Sequence, residues 1–209
     1  MIARILRCAL LAWLLLPIAA LAQPSPFPTS SCEYAASLSE RTHHLPPGLL
    51  VAIGHVESGR QGPSSRQIEG WPWTVNEGGI GHFFATRGDA IVFVKGLWAN
   101  GIRSIDVGCF QINLLYHSTA FRSLEQAFEP SLNADYASYF LNSLYQRDHT
   151  WGSAVADYHS SRPGKGIPYR NSVELHLASD LTTDCNAVDT TTSNHIIHYG
   201  HGLPNIILP

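Results

Sequence analysis

The run Leu49–Arg60, LLVAIGHVESGR, constrains the fold more than any other part of the chain. Leu50, Ile53 and Val56 recur at helical spacing and mark one apolar face. Glu57 falls four residues after Ile53 and seven after Leu50, so it sits on or beside that face. A carboxylate rarely occupies such a position without a partner or a function. The fold must bury this helix and still accommodate Glu57. An ion pair with Arg60 is the simplest local way to do so.

The folded part is expected to begin after residue 22. MIARILRCALLAWLLLPIAALA carries Arg4 and Arg7, an apolar core and Ala20-Leu21-Ala22, the layout of a secretory signal peptide. Gln23 rather than a cysteine follows the expected cut, so no lipid anchor is indicated. An uncleaved membrane anchor is the competing reading. No second long apolar run follows, so the mature chain is expected to have no stable membrane insertion and to be periplasmic or secreted. Cleavage takes two of 13 Lys and Arg and leaves 11 against 16 Asp and Glu, a formal charge of -5 in place of -3. That excess of acid argues against nucleic acid as a partner. Cys8 leaves with the leader, and Cys32, Cys109 and Cys185 remain. An exported chain permits disulfides, and an odd count leaves one thiol over. Cys32–Cys109 is the favoured pair, because Cys185 lies in a C-terminal stretch without periodicity.

Residues 23–31, QPSPFPTSS, read as a linker. A helix is expected over Glu33–His43, and Pro46-Pro47 separates it from the Glu57 helix, which Gly59 would cap. WPWTV and GHFFAT, divided by NEGGIG, read as a β-hairpin. DAIVFVKGLWANGI reads as a helix closing at Gly101, and SIDVGCFQINLLYH as a short strand or turn entering a loop. SLNADYASYFLNSLYQRD is a strongly periodic helix, with Tyr136, Tyr139 and Phe140 assigned to the core and Asn133 to fixing its start. WGSAVADYHSS is another helix, a turn follows at Pro163–Pro168, and a last helix ends near Ala178. Residues 179–209 are expected to form a poorly ordered tail. The class is mainly α (α+β), with a small β-hairpin insertion.

Several chemistries lack their residues. His55–Glu57 matches the H-x-E of zinc deaminases, but the Pro-Cys-x-x-Cys partner is missing. There is no H-E-x-x-H, no G-x-S-x-G and no glycine-rich phosphate loop. His195, His198 and His201 are regularly spaced in the tail, where a solvated segment is the simpler reading than metal capture. No metal or cofactor is expected.

Glu57-Ser58 and four later motifs, taken in order, point elsewhere. Glu57-Ser58 ends its helix. GCFQIN supplies Gly108 and Gln111. NADYASYFL supplies Asn133, Ala137 and Leu141. ADYHS and YRNSV supply Tyr158, His159, Tyr169 and Val173. In this order they resemble the soluble lytic transglycosylase domain, and the resemblance covers residues 32–178. It implies a lysozyme-like helical fold. It also implies cleavage of the peptidoglycan glycan strand between N-acetylmuramic acid and N-acetylglucosamine, with a 1,6-anhydro product. Glu57 takes the role of the family's single acid/base. The residues expected on the substrate side are Ser58, Gly108, Gln111, Tyr158, His159 and Tyr169. For Gln111 hydrogen bonding within its loop is the alternative, and for Tyr158 and Tyr169 a place in the core.

The chain departs from the family pattern in three places. Asp157 and His159 stand where the family has Ala and Asn beside Tyr158, and Cys109-Phe110 replaces a Leu-Met type pair. Residues 58–110, 53 positions, separate Glu57 from Gln111, more than the family spacing, and the Trp71/Trp73 hairpin fills the excess. It is expected to wall the cleft, with packing on the domain as the alternative. A lysozyme-like hydrolase and a non-catalytic glycan-binding or secretion-accessory module are the competing functions. Hydrolysis would require a second acid, and Asp106 and Asp157 are the candidates. Cell-envelope secretion machinery is a further partner class left open.

Overall fold

The helical stripes become seven helices in the computed structural model, which describes residues 32–61 and 68–189. Five of them form one lobe: α1 (Cys32–His43), α2 (Leu49–Ser58), α5 (Pro130–Asp148), α6 (Trp151–His159) and α7 (Pro163–Asp189). Their shared core contains Leu50, Ile53, Phe110, Ala137, Leu141 and Val173, all fully buried. Each large aliphatic or aromatic side chain so placed contributes about 1.5–3 kcal/mol from burial. The mainly α class with a small antiparallel sheet is therefore the class of the fold.

The second lobe is built on strands β3 (Thr74–Glu77), β4 (Ile80–Phe83), β5 (Ile105–Val107) and β6 (Ile112–Asn113). They form an antiparallel sheet in the order β4-β3-β5-β6. Helices α3 (Arg87–Ala99) and α4 (Leu124–Ala127) complete a core of Val75, Val94, Ile105, Val107 and Phe128. Thr86 caps α3 by accepting from the Asp89 N–H. Two short strands, β1 (Gly59–Gln61) and β2 (Ile68–Gly70), pair antiparallel beside α1 and α2.

Several boundaries differ from those read in the sequence. Gly59 is the C-cap of α2, as expected, but in extended rather than left-handed conformation, and it also opens β1. A Cβ there would lie 2.0 Å from the His55 carbonyl oxygen, so the strand can leave the helix this tightly only through glycine. The hairpin is narrower than expected: Thr74 pairs with Phe83 around a Gly78-Gly79 turn, and Trp71 and Trp73 precede it. The expected turn at Pro163–Pro168 is the start of α7, with Pro168 inside the helix. That helix also passes Ala178, its expected end, and reaches Asp189. Tyr139 is 60% exposed rather than core. The expected leader and linker, and His195, His198 and His201, lie outside the described residues. No described helix is long and apolar enough to cross a membrane.

The start of α2 is held from a distance. The Glu40 carboxylate, on α1, accepts from the N–H groups of Gly48, Leu50 and Val51. These are donors that a helix cannot satisfy itself, and the positive end of the helix dipole favours an anion there. The Cys32–Cys109 disulfide joins the start of α1 to the loop after β5, closing a sequence separation of 77.

Candidate active site

Glu57 occupies the last turn of α2, beside Ser58 and the turn into β1. Its side chain is half-buried. Protein surrounds it on most sides, and that desolvation raises its carboxyl from 4.5 to about 8. The Tyr169 hydroxyl pulls the other way, and the nearby Asp106 carboxylate pushes it further up. Tyr169 is 7% exposed, and its hydroxyl meets no group at strict hydrogen-bond geometry. The Glu57 carboxyl is the group it acts on. The ion pair with Arg60 does not form: the Arg60 guanidinium carbon lies 3.9 Å from the centroid of the Trp71 ring.

Ser58 braces this carboxylate's helix instead of facing a substrate. It is 1% exposed, its hydroxyl donates to the Cys109 carbonyl at 2.7 Å, and it accepts from Trp71 N–H at 3.1 Å. One buried hydroxyl thus ties α2 to both the β2–β3 connection and the loop 108–111. A residue this buried has no surface left for a sugar, so its place on the substrate side is corrected.

The loop itself is determined by Gly108 and Asn133. Gly108 has a φ of 83°, and a Cβ on it would lie 2.6 Å from Asn133 Nδ2, so conformation and space both require glycine. Asn133 is fully buried within α5 and does not cap the helix start. Its amide donates to the Val107 and Ala127 carbonyls and accepts from Phe110 N–H. Gln111 takes a left-handed φ of 48°, and its amide nitrogen donates to the carbonyls of Gly108 and Thr74. The internal-bracing alternative for Gln111 is the one observed for those donors.

The late tyrosines arrive from the other side. Tyr158, on α6, donates to the Phe110 carbonyl at 2.9 Å, and burial together with the Glu57 charge raises its phenol well above the ordinary value. His159 is exposed and stacks on Tyr169, ring centroids 4.7 Å apart and planes 9° apart. Asp106, on β5, accepts from Asn113 Nδ2 at 2.8 Å. Its carboxyl is raised by burial, against the Asn113 hydrogen bond and the His159 charge. Burial and Lys165 lower His159, while Asp106 favours its protonated form. Glu57, Asp106, Tyr158, His159 and Tyr169 are therefore one electrostatic group. Asp157 is not part of it, since it pairs with Arg147.

Sequence reasoning missed the residues behind the site. His55, one residue from Val56, lies 3.3 Å from Glu33 Oε1, which also accepts from Gly70 N–H at 2.6 Å. Burial alone would raise Glu33, but the His55 hydrogen bond and Gly70 outweigh it and hold the carboxyl low. The signal available was Glu33 and Glu40 on the buried side of α1, an acid pattern parallel to that of Glu57. Trp73 packs against the β-lobe core, and the Trp71 indole N–H donates to the Phe84 carbonyl. Both are half-buried, and these contacts are those of the packing alternative. Among the described residues no group of three or more His, Cys, Asp or Glu could hold a metal ion.

Such a site can lend a proton and take it back. One acid stays protonated near neutrality, a phenol is aimed at it, and a second carboxylate stands within electrostatic reach. No family model, curated protein or solved structure matches this chain.

Proposed function

We propose that the chain is a peptidoglycan lytic transglycosylase that cuts the β-1,4 bond between N-acetylmuramic acid and N-acetylglucosamine. The observation that carries this reading is Glu57: a half-buried carboxyl raised to about 8, facing the otherwise unpartnered Tyr169 hydroxyl. A glycosidic oxygen leaves poorly unless protonated, and an acid that keeps its proton near pH 7 can supply one. Glu57 gives its proton to that oxygen as the bond from the anomeric carbon breaks. The carboxylate so formed then removes the proton of the muramoyl C6 hydroxyl, whose oxygen bonds to the anomeric carbon. Proton and bond counts balance without water, and Glu57 ends protonated. The substrate's N-acetyl oxygen can replace the second carboxylate of most glycosidases. Tyr169 orients the acid, and Tyr158 ties α6 to the loop 108–111 through the Phe110 carbonyl.

The Cys32–Cys109 disulfide supports a periplasmic or secreted setting, where such bonds persist and where this polymer lies. Mass spectrometry of muropeptides released from purified cell wall tests the reading. The expected product is one water lighter than a hydrolytic product, and digestion in heavy-oxygen water leaves it unlabelled. Asp106 favours a second reading, hydrolysis, because a carboxylate that acts on Glu57 could also activate water. A labelled, hydrated product would establish that reading and overturn the first. Release of no product would favour the non-catalytic module.

A further inference from the structure

Helix α5 has two apolar faces. Ala134, Ala137 and Leu141 are buried in the α-lobe core. Leu132, Tyr136 and Tyr139 recur at i, i+4 and i+7 on another face, where Leu132 is 41% and Tyr139 60% exposed. An exposed apolar stripe beside polar groups is a feature of binding surfaces. From Tyr139 the rings run without a break to the candidate site. Ring centroids lie 5.9 Å apart for Tyr139–Tyr136, 5.5 Å for Tyr136–His117, 4.6 Å for His117–Phe140 and 5.4 Å for Phe140–Tyr158. None of these pairs is stacked face to face. Midway, His117 Nδ1 and the Tyr136 hydroxyl meet at 3.0 Å, a polar pair among half-buried rings.

We propose that this strip is a glycan-binding track, carrying a β-linked N-acetylaminosugar strand away from Glu57 across the face of α5. The proposal rests on the reading of Glu57 as a glycan-cleaving acid. A pyranose ring has an apolar C–H face and a rim of hydroxyl and amide groups. It therefore needs broad, rigid, amphipathic side chains with occasional polar partners, which tyrosine and histidine supply. Continuity selects this occupant over a protein: the strip ends at Tyr158, which donates to the Phe110 carbonyl in the loop 108–111, the loop to which Ser58, next to Glu57, also bonds. A strand leaving the site in that direction meets the strip first.

Isothermal titration of the full-length chain carrying Glu57→Gln, with the β-1,4-linked hexamer and dimer of N-acetylglucosamine, tests the track. Tyr139 is exposed, so Tyr139→Ala should leave the melting temperature unchanged. It is expected to weaken hexamer binding about tenfold, a loss of the size aromatic contacts provide. Dimer binding should be unchanged, and Tyr139→Phe should restore the hexamer. With Glu57 intact, Tyr139→Ala should raise KM on cell wall at constant kcat. Equal hexamer affinity in Tyr139→Ala, or no hexamer binding by the parent, overturns the track. The two proposals separate cleanly. Tyr139-dependent binding without wild-type cleavage keeps the track and removes the catalytic reading. Cleavage insensitive to Tyr139 does the reverse.

Discussion

Among the described residues, Glu33, Ser39, Glu40, Ser58, Asn133 and Ser138 are the buried polar or charged side chains of the α-lobe, whereas the β-lobe buries Thr74 alone. The α-lobe uses these groups to fix positions. Glu40 holds the start of α2, Ser58 its end, Asn133 the loop after β5, and Ser39 meets Ser138 at 2.8 Å between α1 and α5. The β-lobe core is aliphatic and aromatic, with helix α3 laid on a small sheet. Buried hydrogen bonds have narrow geometry and apolar contacts do not. The lobe that fixes Glu57, Tyr158 and Tyr169 is thus the one with geometric restraints, and the other contributes Asp106 at their edge.

If this contrast is correct, substitutions in the two lobes should separate activity from stability. The largest effect belongs to Glu57→Gln, which should reduce glycan cleavage by about 10³-fold or more while the circular dichroism spectrum is unchanged. Replacing Cys32 and Cys109 together by serine should cost about 2–5 kcal/mol in urea unfolding and reduce kcat as the loop 108–111 loosens. Glu40→Ala leaves three backbone donors at the start of α2 without their acceptor, and should cost about 1–3 kcal/mol and lower kcat as the helix carrying Glu57 shifts. Val94→Ala, in the β-lobe core, should also cost about 1–3 kcal/mol, yet leave kcat unchanged. A kcat loss in Val94→Ala as large as that in Glu40→Ala would break the contrast.

A pH signature complements these substitutions. In the folded chain Glu57 titrates at about 8, above its ordinary 4.5. The folded state therefore keeps a proton that the unfolded chain has released between those values. The associated stability is fully present below about 4.5 and is lost as pH rises through about 8. Glu57→Gln removes this dependence. Its melting temperature should match wild type near about pH 4 and exceed it by roughly 3 °C or more near about pH 9. Parallel melting curves at both values would contradict the burial of Glu57.

Periodicity made most of the helices legible, because Leu50, Ile53 and the α5 stripe have one spacing and one face. The favoured Cys32–Cys109 pair is also the one formed. The sheet was half legible: two glycines marked the hairpin turn, but β1, β2 and β6 are two or three residues long and carry no pattern. Their pairing depends on distant chain. The site was read as a list of residues, and what the list lacked was roles. Ser58, Gln111 and Asn133 all carry hydrogen-bonding side chains, and only tertiary structure shows that their donors are used internally. Asp106 could be named but not ranked, because its relation to Glu57 depends on how β5 meets α2. The tryptophans were ambiguous for the same reason: an aromatic ring suits a sugar or a core equally well, and Trp73 packs half-buried against the β-lobe core.

The most direct test follows the Glu57 carboxyl itself. A carboxyl-carbon NMR titration of the full-length chain, with Glu57→Gln identifying the resonance, measures its protonation without substrate. The expected midpoint is about 8. A midpoint at the ordinary 4.5 would leave the site without an acid near neutral pH and would contradict the assignment of Glu57 as proton donor.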